Sequence, residues 1–137
     1  MNARPVLAPW MPLLLRIAGA WNLLAGFAMV VFHHEGFKIL GATKPSPPLS
    51  IQVLGVLVAL FGWGYFLVAS DPVRNRNILM LGSWSKAAAT VCSVFYVAVG
   101  QLPWWFTIVV FLADTIYLPP FFAILRRIDR ESETALF

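Results

Sequence analysis

Charge and cysteine are what this 137-residue chain has least of. Acidic and basic side chains make up 12% of it, and Cys92 is its one cysteine. A soluble domain carries about a quarter charged residues, so an ordinary water-exposed surface is excluded. A lone cysteine excludes an intrachain disulfide and any CxxC pair for zinc or redox chemistry; inside an apolar run it reads as a small core residue. The two histidines, His33 and His34, are adjacent. Neighbours on a helix point about 100° apart, so this chain alone does not supply two axial ligands. They stand as weak candidates for a metal or pigment, and only with a donor from a partner chain. Ser83, Ser85 and Ser93 have no histidine or second carboxylate at comparable depth, which removes the base a hydrolase needs. Gly82-Ser83-Trp84-Ser85 is not a nucleophile elbow, because the strand that motif requires is missing.

Apolar residues are what the chain has in abundance, at 60%. They fall in four blocks, about 10–32, 49–69, 78–99 and 104–125, each long enough to cross about 30 Å of hydrocarbon. One domain over residues 1–137 follows, an all-α integral membrane four-helix bundle. Pro9 and Pro12 suit the first turn of span one. Arg16 interrupts what would otherwise pass for a secretory signal ending at Ala18-Gly19-Ala20, and apolar sequence continues beyond it, so span one is expected to stay uncleaved. Asn75-Arg76-Asn77 is expected to cap the third span, and Gly100-Gln101-Leu102-Pro103 to turn the chain into the fourth. Short connections force antiparallel neighbours, giving an up-and-down bundle. Phe37, Ile39 and Leu40 suit a membrane surface, but their run is too short to assign as a helix.

The net charge is +4, without a basic patch interleaved with aromatics, so nucleic acid is not an expected partner. Arg4, Arg74, Arg76, Arg126, Arg127 and Arg130 fall on one side, and Lys38 and Lys44 on the other. The positive-inside rule places both termini in the cytoplasm, in what reads as a bacterial inner membrane.

The functional candidates lie within the hydrocarbon. Asp114 is the one acid inside a long apolar run, and a mid-bilayer carboxylate costs several kcal/mol unless paired, protonated or wet. Five residues on, Pro119-Pro120 is expected to kink the span and free the carbonyls of Thr115 and Ile116. Arg16 lies about 9 Å and Lys86 about 12 Å above the cytoplasmic edge, and either is a possible partner for Asp114. Helical side chains lean toward their own N-terminus, which turns both cations toward the cytoplasm and Asp114 outward. On that ground Asn22 and Thr90 are the expected neutral partners. Trp21, Trp63, Tyr65, Trp84, Tyr96 and Tyr117 either pack the bundle or line a groove for a flat ring or acyl chain.

Gly19 and Gly26 in span one are spaced like Gly55 and Gly62 in span two. In antiparallel spans this sets Gly19 level with Gly62 and Gly26 level with Gly55, a small-on-small seam of the kind that lets membrane helices approach closely.

Leu15-Arg16-Ile17-Ala18-Gly19 with Leu23, Leu24 and Gly26, then Gly62-Trp63-Gly64-Tyr65 leading to Ala69-Ser70-Asp71-Pro72, resembles the small four-span bacterial membrane proteins grouped as DoxX-like. The resemblance implies a four-helix bundle associated with quinone-linked or sulfur redox enzymes; it assigns no site residues. With no nucleophile, metal or nucleotide motif, the expected function is that of a non-catalytic accessory subunit. Such a subunit packs against a larger membrane complex, with membrane lipid and other subunits, or a second copy, as partners and lipid or quinone as ligand. The alternatives are a dimeric proton-coupled transporter working through Asp114 and a small redox or lipid enzyme using it as acid or base.

Overall fold

The computed structural model describes residues 6–134. Its elements are α1 (Trp10–Val31), α2 (His33–Leu40), α3 (Leu49–Ser70), α4 (Arg76–Ala98), α5 (Phe106–Ala113), a 3-10 turn over Thr115–Tyr117, and α6 (Leu118–Thr134). The chain is all-α, and α1, α3, α4 and the continuous 106–134 stretch are each long and apolar enough to cross a membrane. It is an integral membrane protein.

The helix of the third span, α4, runs within two residues of the expected 78–99 at its start. Three local expectations need correcting. Asn75 does not cap α4 with its side chain; Nδ2 turns back to the end of α3, donating to Leu67 O (3.1 Å) and Asp71 O (3.0 Å). Each of these carbonyls also accepts a backbone N–H, Leu67 O from Asp71 (2.9 Å) and Asp71 O from Asn75 (3.2 Å), so the amide adds a second bond to each at the end of α3. Residues His33–Leu40, not assigned as a helix from the sequence, form α2. Gly41 ends it with φ +64°, the left-handed conformation glycine adopts without strain. The fourth span is two helices joined through the 3-10 turn.

Helices α1 and α3 pair along their lengths. A Cβ placed on Gly19 would stand 2.8 Å from Gly62 O, and one on Gly62 2.7 Å from Gly19 O. A Cβ on Gly55 would stand 2.8 Å from Gly26 O, and one on Gly26 would meet Gly55 O and lie 2.7 Å from Ala59 N. Side chains there would force the backbones apart. In lipid, helices gain little from hiding apolar surface, so close van der Waals contact is what associates them.

The two ends of the bundle differ. Toward the termini, Leu15, Ala18, Val68, Leu79, Phe121, Ile124 and Ile128 are fully buried. Outside that core, Arg127 Nε donates to Val6 O (3.2 Å), and Arg76 makes a two-point ion pair with Asp129. Asp129 lies past the fourth apolar run, and the hydrogen bonds from Arg76 hold its carboxyl below the usual carboxylate range. Toward the opposite end, Val91, Val94 and Phe95 on α4 are exposed. The fully buried side chains therefore gather toward the two described ends of the chain, while the ion pair and the grooves beside it lie toward the other end.

Candidate functional site

The break in the fourth span builds the site. Each proline lacks an N–H, and its ring clashes with the carbonyl four residues back, which disfavours α geometry at Thr115 and Ile116. The chain tightens there into a 3-10 turn: Tyr117 N–H donates to Asp114 O (3.2 Å) and Leu118 N–H to Thr115 O. Pro119 and Pro120 then sit in the first turn of α6, where missing donors do no harm. In a continuous helix Tyr117 N–H would serve Ala113 O. The carbonyl released to the site is thus that of Ala113, and Thr115 O keeps a backbone donor, contrary to the expectation that Thr115 and Ile116 would supply it.

Lys86, on α4, takes that carbonyl. Its Nζ donates to Ala113 O (2.9 Å), Asp114 Oδ1 (2.9 Å) and Asn22 Oδ1 (3.2 Å), and stands 5.1 Å from the Tyr117 ring centre. An ammonium has three donors and no acceptor; all three are used. Lys86 is 4% exposed, against 24% for the Asp114 side chain, so the cation is sealed while the carboxylate keeps an open side. Asn22 ties the pair to the glycine seam, because its Nδ2 donates to Val58 O (3.4 Å) on α3 and a Cβ on Gly62 would lie 3.0 Å from Asn22 Cβ.

Of the partners weighed for Asp114, Lys86 bonds it directly, and the two favoured by side-chain lean, Asn22 and Thr90, do not. Asn22 reaches Asp114 through Lys86, and Thr90 does not bond Asp114. Thr90 Oγ1 lies 2.9 Å from Lys86 O and 3.1 Å from Thr115 Oγ1. The lean rule assumes an unbroken helix, whereas Asp114 terminates α5 at φ −129°, ψ −56°, and the lysine stem is long enough to reach it. Arg16 is exposed and takes no part in the site. His33 Nδ1 lies 3.0 Å from Val30 O at the end of α1, and among the described residues no three His, Cys, Asp or Glu side chains gather.

The ion pair lies against a cavity of about 330 Å³ between α1, α3, α4 and α5. Asn22, Lys86 and Asp114 supply its charge and amide; Ser85 and Ser93 add hydroxyls from α4, and the rest of the wall is largely apolar. Of the six aromatics named from sequence, Trp21 and Tyr65 line this cavity and Tyr117 backs Lys86. Trp63, Trp84 and Tyr96 are exposed. Tyr65 crosses Gly82, where a Cβ would come 2.5 Å from the phenol oxygen, and stacks edge-on with Phe121 at 5.0 Å. Sequence reasoning missed the close approach of Tyr65 to Gly82, the Thr115 hydroxyl and Ala113 O. The last was within reach, since two prolines exclude α geometry four residues upstream.

A scan against protein-family models, a search of curated proteins and a search of solved structures each found no match.

Proposed function

We propose that this chain is an accessory subunit of a membrane complex that holds a lipid or quinone in the cavity above Lys86 and Asp114. The observation that carries this reading is a buried ion pair, with one carboxylate side open, against a largely apolar cavity within the spans. Small-molecule sites have this make-up, apolar walls with a few placed polar groups. Intramembrane charges kept without a functional need would be expensive. The DoxX-like resemblance points the same way, toward quinone-linked complexes. The exposed outer face of α4 suits packing against acyl chains or the helices of such a complex. We place the protein in a bacterial inner membrane with both termini cytoplasmic, on the distribution of arginine.

Purification from native membranes into lipid nanodiscs, followed by mass spectrometry of partners and bound molecules, tests the proposal. The expected result is a membrane partner and a lipophilic molecule retained by the wild type and lost at least fivefold from Ala89→Trp, which fills the cavity from its α4 wall. Equal retention by both proteins would remove the cavity as a ligand site.

One observation favours a second reading. A helix interrupted within the membrane beside a carboxylate is a construction found in ion-coupled transporters, and α5 ends at Asp114. In proteoliposomes under a potassium diffusion potential, the accessory-subunit reading expects no proton flux above empty vesicles. Flux that Asp114→Asn abolishes would assign the chain to transport.

A further inference from the structure

The hydrogen-bond inventory narrows the chemistry of the ligand. Lys86 spends its three donors on Ala113 O, Asp114 Oδ1 and Asn22 Oδ1, so it has none left for an incoming group. Asp114 Oδ2 accepts no hydrogen bond from the described residues. No buried side-chain oxygen or nitrogen among them lacks a partner, so this unpartnered oxygen is an accessible one, on a residue that lines the cavity. An ionised carboxylate oxygen only accepts. Ser85, Ser93 and Tyr65 each carry a hydroxyl that both donates and accepts, and they do not discriminate. The Asp114 carboxylate does: it rewards a donor, and it repels a bare carbonyl oxygen or an anion.

The path away from Asp114 is apolar. A second groove of about 510 Å³ lies beside α2 and shares Met29, Phe106 and Val109 with the cavity. Phe106 precedes Asp114 by eight positions, about 12 Å of helix. A molecule bound here would have one small polar end at mid-membrane and a hydrocarbon chain running toward α2. A phosphate or choline head is too bulky and too charged for the inner end, which is already neutral as an ion pair.

We infer that the cavity selects an uncharged, hydroxyl-bearing amphiphile, a long-chain alcohol or a hydroquinone, whose O–H donates to Asp114 Oδ2. Its oxidised or etherified counterpart, and a fatty-acid anion, bind less well. This inference rests on the ligand-holding reading above.

The test uses the full chain in nanodiscs and a dodecanol probe carrying a photoreactive diazirine in mid-chain. Labelled residues are mapped, and labelling is competed with 1-dodecanol, 1-methoxydodecane or dodecanoate. Labelling should fall on Met29, Phe106 and Val109, and the alcohol should compete about tenfold or more better than the ether, the discrimination expected of one hydrogen bond to a charged group. In Asp114→Asn, which presents a donor as well as an acceptor, that preference should shrink to about twofold. The wild-type competition decides even if the variant fails to fold. Equal competition by alcohol and ether, with the groove still labelled, would overturn the selectivity while leaving an amphiphile site. Absence of labelling in the groove would overturn both.

Discussion

Lys86 shows how a charge is held within a membrane. Its ammonium meets a carboxylate and a main-chain carbonyl from the adjacent residues Asp114 and Ala113, and an amide oxygen from Asn22 on α1. Removing one member of such a pair leaves the other buried and uncompensated, at a cost of about 3 kcal/mol or more, whereas replacing both with apolar groups is often nearly neutral. Lys86→Met and Asp114→Leu are each expected to destabilise the protein by about 3 kcal/mol, and the double variant to recover to within about 1 kcal/mol of the wild type. Unfolding in mixed micelles measures this, and additive losses would show that the pair is not a unit. Depth and residue type were enough to select Asp114, Lys86, Asn22 and Thr90 from the sequence. Their connections were not legible, because the direction of the Asp114 side chain depends on where its helix ends. Arg16, chosen on depth alone, lies on an exposed face of α1 and not on the face that meets Lys86 and Asp114.

Among the elements, the α1–α3 seam was readable because it rests on rise per residue and the size of glycine, both independent of tertiary detail. The two ends of that seam are separated by seven residues on each helix, so one register satisfies both. A methyl group at Gly26 meets Gly55 O and lies 2.8 Å from Ala59 Cβ, whereas one at Gly36, in α2, meets nothing within 4 Å. Gly26→Ala is therefore expected to destabilise by about 1–3 kcal/mol through overpacking, and Gly36→Ala to change stability by no more than about 1 kcal/mol, in the stabilising direction. Thermal unfolding of the two variants in one detergent checks this; equal effects would contradict the seam. The break in the fourth span was only half readable. Two prolines announce an interruption, but its consequence lies upstream, in the 3-10 turn that reassigns Tyr117 N–H and releases Ala113 O. The eight residues of α2 escaped notice because a run that short carries too little periodicity to distinguish a helix from a surface loop.

Seen whole, the molecule is a bundle whose fully buried core lies toward its two described ends, with the Lys86–Asp114 pair between that core and the apolar grooves. The four apolar blocks made the class of fold legible from composition alone. The grooves were not legible, because in lipid an exposed apolar helix face and a buried one have the same composition. The Arg127 contact with Val6 O places the two described ends on the same side, and the arginines there predict that side to be cytoplasmic. Cysteine-accessibility labelling at residue 132 in intact cells should require membrane permeation; labelling from outside without it would invert the orientation and its charge argument. In the proposed function the cavity between α1, α3, α4 and α5 holds an amphiphile whose polar end meets Asp114. An experimental structure of the protein in native-membrane lipid tests this most directly. The account predicts continuous non-protein density from Asp114 Oδ2, past Met29 and Phe106, to the groove beside α2. A cavity filled by water alone, or closed by α4 packing against α1, would contradict it.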